Sequence, residues 1–315
     1  MKDKISSNPT SSLVTELNRS VGDLGRLQLN IAGFTIQLES EWDLAFDVGF
    51  KHFISTKEQE PDIYVECRKR EAIGLFKGAE KVFTSANDEL MFYEIYKKGD
   101  ALLFALFNQA LQVDSQSNQV PIQQVALLEP DLKHWTIWSE ERNGELEPML
   151  YPMAPILLHY AVLTADAVMM HASGVFDGEK GRMFSGFSGV GKSTISGIWR
   201  DNGSLLINDD RLIIRRENGR YYIYNTPMFY EDENKKAPLD AVYLIRHFPE
   251  NDMEKISGAA AVTGIMAFSI QNNYDRRFVQ HHIDFFTKMC EVVPIYRLGF
   301  VPDKNVIEFI KENSL

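Results

Sequence analysis

The stretch Met183-Phe-Ser-Gly-Phe-Ser-Gly-Val-Gly-Lys-Ser-Thr-Ile-Ser-Gly-Ile-Trp199 decides how the rest of the chain is read, because it contains Gly186-x-x-x-x-Gly191-Lys192-Ser193. That is a complete Walker A pattern. An apolar run precedes it and a helix-forming run, Lys192 to Arg200, follows, so the spacing predicts a strand, a loop and a helix in that order. Gly186, Gly189 and Gly191 are expected to take positive φ and turn backbone N–H groups inward, while the helix aims its positive end at the same spot. Such a loop cradles phosphates. Gly186, Ser188, Gly189, Val190, Gly191, Lys192, Ser193 and Thr194 are therefore the expected nucleotide-binding residues, with Lys192 reaching the β- and γ-phosphates as a mobile point charge and the Ser193 hydroxyl holding Mg²⁺. A glycine-rich turn before a helix is the plainer alternative, but the full pattern arises by chance in roughly one chain per hundred of this size.

Magnesium on a nucleotide needs oxygen ligands beyond one serine, usually an acidic residue at the end of a neighbouring buried strand. Ser204-Leu-Leu-Ile-Asn208 reads as such a strand, and Asp209-Asp210-Arg211 stands at its end, 17 and 18 residues past Lys192 for the two acids. One helix, one turn and one strand take up that distance, which predicts a strand near the one feeding the loop. Adjacent carboxylates on a strand point to opposite faces, unless the strand has already ended, so one is expected toward Mg²⁺ and the other toward a phosphoryl acceptor. Arg211 is placed to clamp a phosphate oxygen, with a simple ion pair to its neighbour as the alternative. His171, on the predicted strand paired with the one feeding the loop, is a second candidate, against the reading of a satisfied core histidine.

Composition narrows the function classes. The 315 residues suit two domains, and the net charge of −11, from 33 basic and 44 acidic residues, argues against a general nucleic-acid binder, which needs surplus Lys and Arg. Two cysteines, Cys67 and Cys290, lie far apart without metal-ligand spacing and are read as packing residues of a reducing compartment. Residues 1–24 read as a flexible Ser- and Asn-rich leader, Met1–Ser12 lacks the apolar core of a signal peptide, and no run of about 18 apolar residues occurs, so a cytoplasmic protein without a membrane span is expected.

From Leu27 the chain alternates apolar and polar residues over short stretches: Leu27–Ile31 and Phe34–Leu38 around an Ala32-Gly33 turn, then Asp62–Cys67, Leu90–Tyr96, Ala101–Phe107, Val120–Leu128 and His134–Trp138. That pattern predicts a mostly β domain over 25–150 built on an antiparallel sheet, with Trp42, Trp135, Trp138, Phe53, Phe83 and Phe92 as core. A buried helix at Ile156–Leu163 opens the second domain, 151–315, expected to be α/β, the chain as a whole being α+β. Its further elements are strands at 168–175, 182–185, 204–208, 212–215, 221–224, 239–245 and 295–300, and helices at 257–268, 275–293 and 304–312. Ser257 is the expected N-cap of the first of those three helices.

His171-Ala-Ser-Gly-Val175, the Met183–Thr194 loop, Leu205-Leu-Ile-Asn-Asp-Asp-Arg211, Pro238-Leu-Asp-Ala-Val-Tyr-Leu244 and the Ser257-Gly-Ala-Ala segment together resemble the catalytic domain of HPr serine kinase/phosphorylase. They are most similar to the looser group of HPr-kinase-like proteins that includes kinases of lasso-peptide biosynthesis. The resemblance covers roughly residues 150 to 300. It implies a P-loop kinase domain of the HPr kinase and phosphoenolpyruvate carboxykinase type, Mg-ATP as donor and a serine hydroxyl as acceptor. It also implies Asp210 as general base, Asp209 near the metal, His171 near the transferred phosphate, and a homo-oligomer, since relatives form rings. The pattern departs from that family at Thr194, where an acidic residue is usual, in lacking the downstream Gly-x-Gly-x-x-Gly-Arg signature, and over residues 25–145.

The expectation is thus an ATP-dependent kinase acting on a serine hydroxyl of a protein, peptide or small molecule, with the β-rich half recognising that acceptor. Two rivals stand beside it: a catalytically weak ATP-binding regulator, and a carboxykinase-like enzyme acting on a small acid.

Overall fold

The computed structural model describes residues 25–71, 74–86, 91–108, 122–270 and 273–314. The leader at 1–24, Leu90, and Val120 with Pro121 at the predicted strand starts lie outside the described residues. The chain divides into two compact units, one taking in Phe34–Ile156 and Pro227–Glu233, the other Leu157–Thr226 and the chain from Asn234 on. The turn Ile31–Gly33 groups with the second unit.

The first unit is built from β1 (Gly25–Ile31), β2 (Phe34–Ser40), β3 (Asp43–Leu44), β4 (Ile63–Lys69), β5 (Glu80–Ala86), β6 (Met91–Lys98), β7 (Ala101–Phe107), β8 (Ile122–Leu128), β9 (His134–Ser139), β10 (Glu141–Arg142) and β11 (Glu145–Leu146). Eight of these form one sheet in the order β1-β2-β4-β9-β8-β7-β6-β5. Ala32 and Gly33 both take positive φ (53° and 74°), the two-residue turn whose twist matches a right-twisted hairpin. The sheet is not wholly antiparallel as alternation suggested: β2 pairs parallel with β4, and β4 parallel with β9. A period of two reports which face is buried and says nothing of the neighbour's direction. Strand β5 escapes the pattern because it is an edge strand on which Phe83 stays 36% exposed, so Phe83 leaves the predicted core. Trp135, Trp138 and Phe53 are buried.

Helix α1 (Met153–Ala161) leads into β12 (Ala167–Phe176), β13 (Gly181–Ser185), α2 (Lys192–Asp201), β14 (Leu205–Asn208), β15 (Arg211–Glu217), β16 (Arg220–Asn225), β17 (Lys236–Pro238), β18 (Ala241–His247), β19 (Asp252–Ile256), α3 (Gly258–Met266), α4 (Arg276–Val292), β20 (Ile295–Phe300) and α5 (Asn305–Asn313). The second unit's strands form a sheet in the order β17-β16-β15-β12-β13-β18-β20-β19, with β14 also on β12. Around β13, β18 and β20 the pairing is parallel, and toward β17 it is antiparallel. Val242 and Leu244 face a core shared with Ala261 and Ile265 of α3 and Phe285, Phe286 and Met289 of α4. Ala241, Tyr243 and Ile245 face the other core, with Ile195 and Trp199 of α2 and Val306 and Ile310 of α5. Helices thus cover both faces, which is why Ala241–Ile245 of β18 reads as an unbroken apolar run. The result is a mixed α/β unit rich in strands.

Ser257 stands at the N-cap of α3 without making a side-chain cap hydrogen bond, whereas Asp275 caps α4 by accepting from Arg277 N. Cys67 and Cys290 are free thiols. Among the described residues no helix is long and apolar enough to cross a membrane.

Candidate active site

Strand β13 ends at Ser185, and the chain turns through the glycine loop into α2. Gly189 (φ +78°) and Gly191 (φ +106°) take the left-handed backbone expected of them. Gly186 does not. It is needed for space instead, since a Cβ there would stand 2.9 Å from Val190 Cγ1 and 3.0 Å from the Ile245 carbonyl oxygen. At Gly189 the same added carbon would meet nothing within 4 Å, so the loop presents bare backbone there. Gly191, the N-cap of α2, has no side chain to satisfy the first-turn N–H groups, and Ser193 and Thr194 are exposed beside them. Backbone donors, two hydroxyls and an ammonium at a helix N-terminus make a donor set that fits a polyphosphate.

Lys192 is buried, and its Nζ donates to the carbonyls of Gly186 (3.0 Å) and Phe187 (3.1 Å). Its backbone carbonyl accepts from Ser173 Oγ (3.1 Å) and Ser196 Oγ (3.0 Å), which tie the start of α2 to β12 and to its own next turn. Burial lowers the Lys192 pKa, and the Asp210 carboxylate opposes that shift.

The acidic pair reaches this region across one intervening strand. Strand β14 pairs with β12 rather than with β13, so β12 lies between it and the strand feeding the loop. Asn208, which ends β14, accepts at Oδ1 from Asp209 N (2.8 Å) and Asp210 N (3.4 Å) and donates from Nδ2 to the Arg211 carbonyl (2.9 Å). That side chain shapes the turn between β14 and β15. Ala172 N then donates to the Asp210 carbonyl (3.1 Å), and β15 begins with Arg211 opposite His171.

The result is a cluster. His171 Nε2 lies 3.6 Å from Asp210 Oδ1, and Arg211 Nη1 donates to Asp210 Oδ2 at 2.8 Å. The His171 pKa is lowered by burial and then by the charge on Lys192, with Asp210 acting against and Arg211 in the same direction. Lys192, His171, Asp210 and Arg211 therefore share one field. Asp209 is half-buried beside them in sequence. Among the described residues, no group of three His, Cys, Asp or Glu side chains could hold a metal by itself.

Two features of the site were not singled out from sequence. Asn208 is a buried polar residue at the end of an apolar strand, a signal the sequence carried. Phe187, in the loop itself, is 74% exposed. Tyr221 and Tyr224 are buried, and Tyr222 lies under the Lys236 ammonium at 4.2 Å, so the three tyrosines belong to their hairpin.

No protein-family model and no curated protein matches the chain. Among solved structures, it is similar to the HPr(Ser) kinase/phosphatase from Coxiella burnetii at 13% identity and a TM-score of 0.28, over 46% of this chain and 94% of that one.

Proposed function

We propose that this chain is an ATP-dependent kinase that moves a phosphoryl group onto a serine hydroxyl of a protein, peptide or small molecule. The observation that carries the reading is a carboxylate, Asp210, whose two oxygens have different surroundings and whose charge acts on the loop cation, Lys192. Asp210 Oδ2 is engaged by Arg211, while Oδ1 faces His171.

On this reading Gly186, Ser188, Gly189, Val190, Gly191, Lys192, Ser193 and Thr194 would hold the phosphates of ATP, with Arg211 as an added cation. Ser193 and Asp209 would hold Mg²⁺. ATP would supply the transferable γ-phosphoryl group, with Mg²⁺ neutralising its charge. Asp210 would take the acceptor's hydroxyl proton on Oδ1, the oxygen Arg211 leaves open. A proton taken there adds modestly to a rate that positioning and charge neutralisation dominate. His171, whose pKa burial and the Lys192 charge lower, would face the same hydroxyl from beside Asp210 Oδ1. Residues 25–150 are proposed to recognise the acceptor, in a cytoplasmic and homo-oligomeric protein.

The test is Mg-dependent ATP binding and turnover by the purified protein beside Lys192→Ala and Asp210→Asn. Loss of binding in the first, and binding without phosphate release or self-labelling in the second, is the expected result. Tight binding with turnover unaffected by Asp210→Asn would sink the catalytic assignment and favour a nucleotide-binding regulator.

A further inference from the structure

Strand β13 pairs with β12 from Ala172 to Phe176 and then leaves the sheet as the glycine loop. Its place beside β12 is taken by the segment after α3, where Ser269 bridges Met170 and Ile270 N donates to the Met169 carbonyl at 3.2 Å. Phe268 is thereby delivered next to His171's strand. It meets Phe187 edge to face, with centroids 5.0 Å apart at 89°. Phe268 is anchored on the core, whereas the Phe187 ring is 74% exposed. An isolated exposed apolar residue needs no explanation, but an exposed ring fixed against an anchored one, on a loop that carries a buried lysine, makes a preformed apolar surface at the site.

We infer that Phe187 and Phe268 form an aromatic lip that receives a bulky apolar or aromatic group adjacent to the accepting hydroxyl, so that the acceptor is a serine flanked by such a group. This rests on the kinase reading for which ligand is meant. A planar base could also lie on Phe187, but the end of the loop decides against it. In a Walker A loop the lysine marks the β- and γ-phosphates. Lys192 Nζ sits on the carbonyls of Gly186 and Phe187, so Phe187 lies at the lysine's end of the loop, where on the kinase reading the terminal phosphoryl group rather than the base would be. His171, on the strand that pairs with the Phe268 segment, faces the proposed base, Asp210.

The test uses two probes, N-acetyl-Ser-Phe-amide and N-acetyl-Ser-Gly-amide, titrated by NMR into the full chain with saturating Mg-ADP, for wild type and Phe187→Ala. The phenylalanine probe should bind wild type at least fivefold more tightly. That preference should disappear in Phe187→Ala while Mg-ADP affinity stays within twofold. Equal binding of the two probes, or a preference that survives in Phe187→Ala, overturns the lip. A tenfold loss of Mg-ADP affinity in Phe187→Ala overturns it too, by giving the ring to the nucleotide. Phosphorylation of the probe serine with Mg-ATP is scored separately. Preference in binding without transfer would count against the kinase and leave the lip standing, and transfer without preference would do the reverse.

Discussion

His171 Nε2 stands 3.6 Å from Asp210 Oδ1, although His171 lies on β12 and Asp210 in the turn between β14 and β15, and the imidazole also answers to the charge of a third group, Lys192. Burial and the lysine charge lower the imidazole pKa, while the carboxylate raises it. Removing each neighbour should therefore move it in opposite directions. In an NMR titration Asp210→Asn should lower the His171 pKa further below its ordinary value, and Lys192→Ala should bring it back up. Shifts of the same sign in both variants would show that the three groups do not share a field.

The loop glycines should rank by the reason each is glycine. Alanine at Gly189 meets only left-handed backbone strain, a cost of about 1–2 kcal/mol. Alanine at Gly191 meets that strain and also the Phe300 ring, 3.1 Å from the added carbon. Alanine at Gly186 has ordinary backbone but collides with Val190 and the Ile245 carbonyl. Urea unfolding should show Gly191→Ala as more destabilising than Gly189→Ala, with Gly186→Ala destabilising despite its permitted φ.

Asp177 supplies a pH dependence independent of the site. Burial would raise its pKa, but the N–H groups of Lys180 and Glu179 and the Arg182 guanidinium at 2.7 Å outweigh that and hold the carboxyl at about 2. A folded pKa below the unfolded one means stabilisation that is present above about pH 4 and lost as the pH falls toward 2. Asp177→Asn should cost about 2 kcal/mol at pH 7 by chemical denaturation, and that difference should close in acid.

Trp199 should be among the costly truncations of the second unit. Its ring is fully buried in the last turns of α2, beneath the Arg182 guanidinium at 4.5 Å. Trp199→Ala should lower the unfolding free energy by about 3–5 kcal/mol. A loss below 1 kcal/mol would mean that the core around α2 closes over the gap.

Much of the second unit was legible because strands buried on both faces announce themselves. Ala241–Ile245 is an apolar run between Asp240 and Arg246, and Ile295–Phe300 is apolar but for Arg297 and Gly299; both are strands. Strand β19 was passed over because Glu254 and Lys255 are exposed on it, and edge strands such as β5 and β19 carry too little buried surface to pattern their sequence. In the first unit the other strands of the large sheet were visible but their parallel pairing was not. The 22 residues between the end of β2 and the start of β4 leave direction open.

The sequence by itself determined the chemistry available: a glycine loop carrying Lys192 and Ser193, an acidic pair followed by Arg211, and His171 on an apolar strand. These are local facts, set by residue type and spacing. Only the tertiary structure decided which of them meet. The pairing of β12 with β15 sets His171 opposite Arg211 and brings Asp210 to the imidazole, and the departure of β13 from β12 after Ser185 lets Phe268 come up beside Phe187. Register and strand order are settled by the burial of whole faces, summed over many residues, and no short stretch of chain contains that sum.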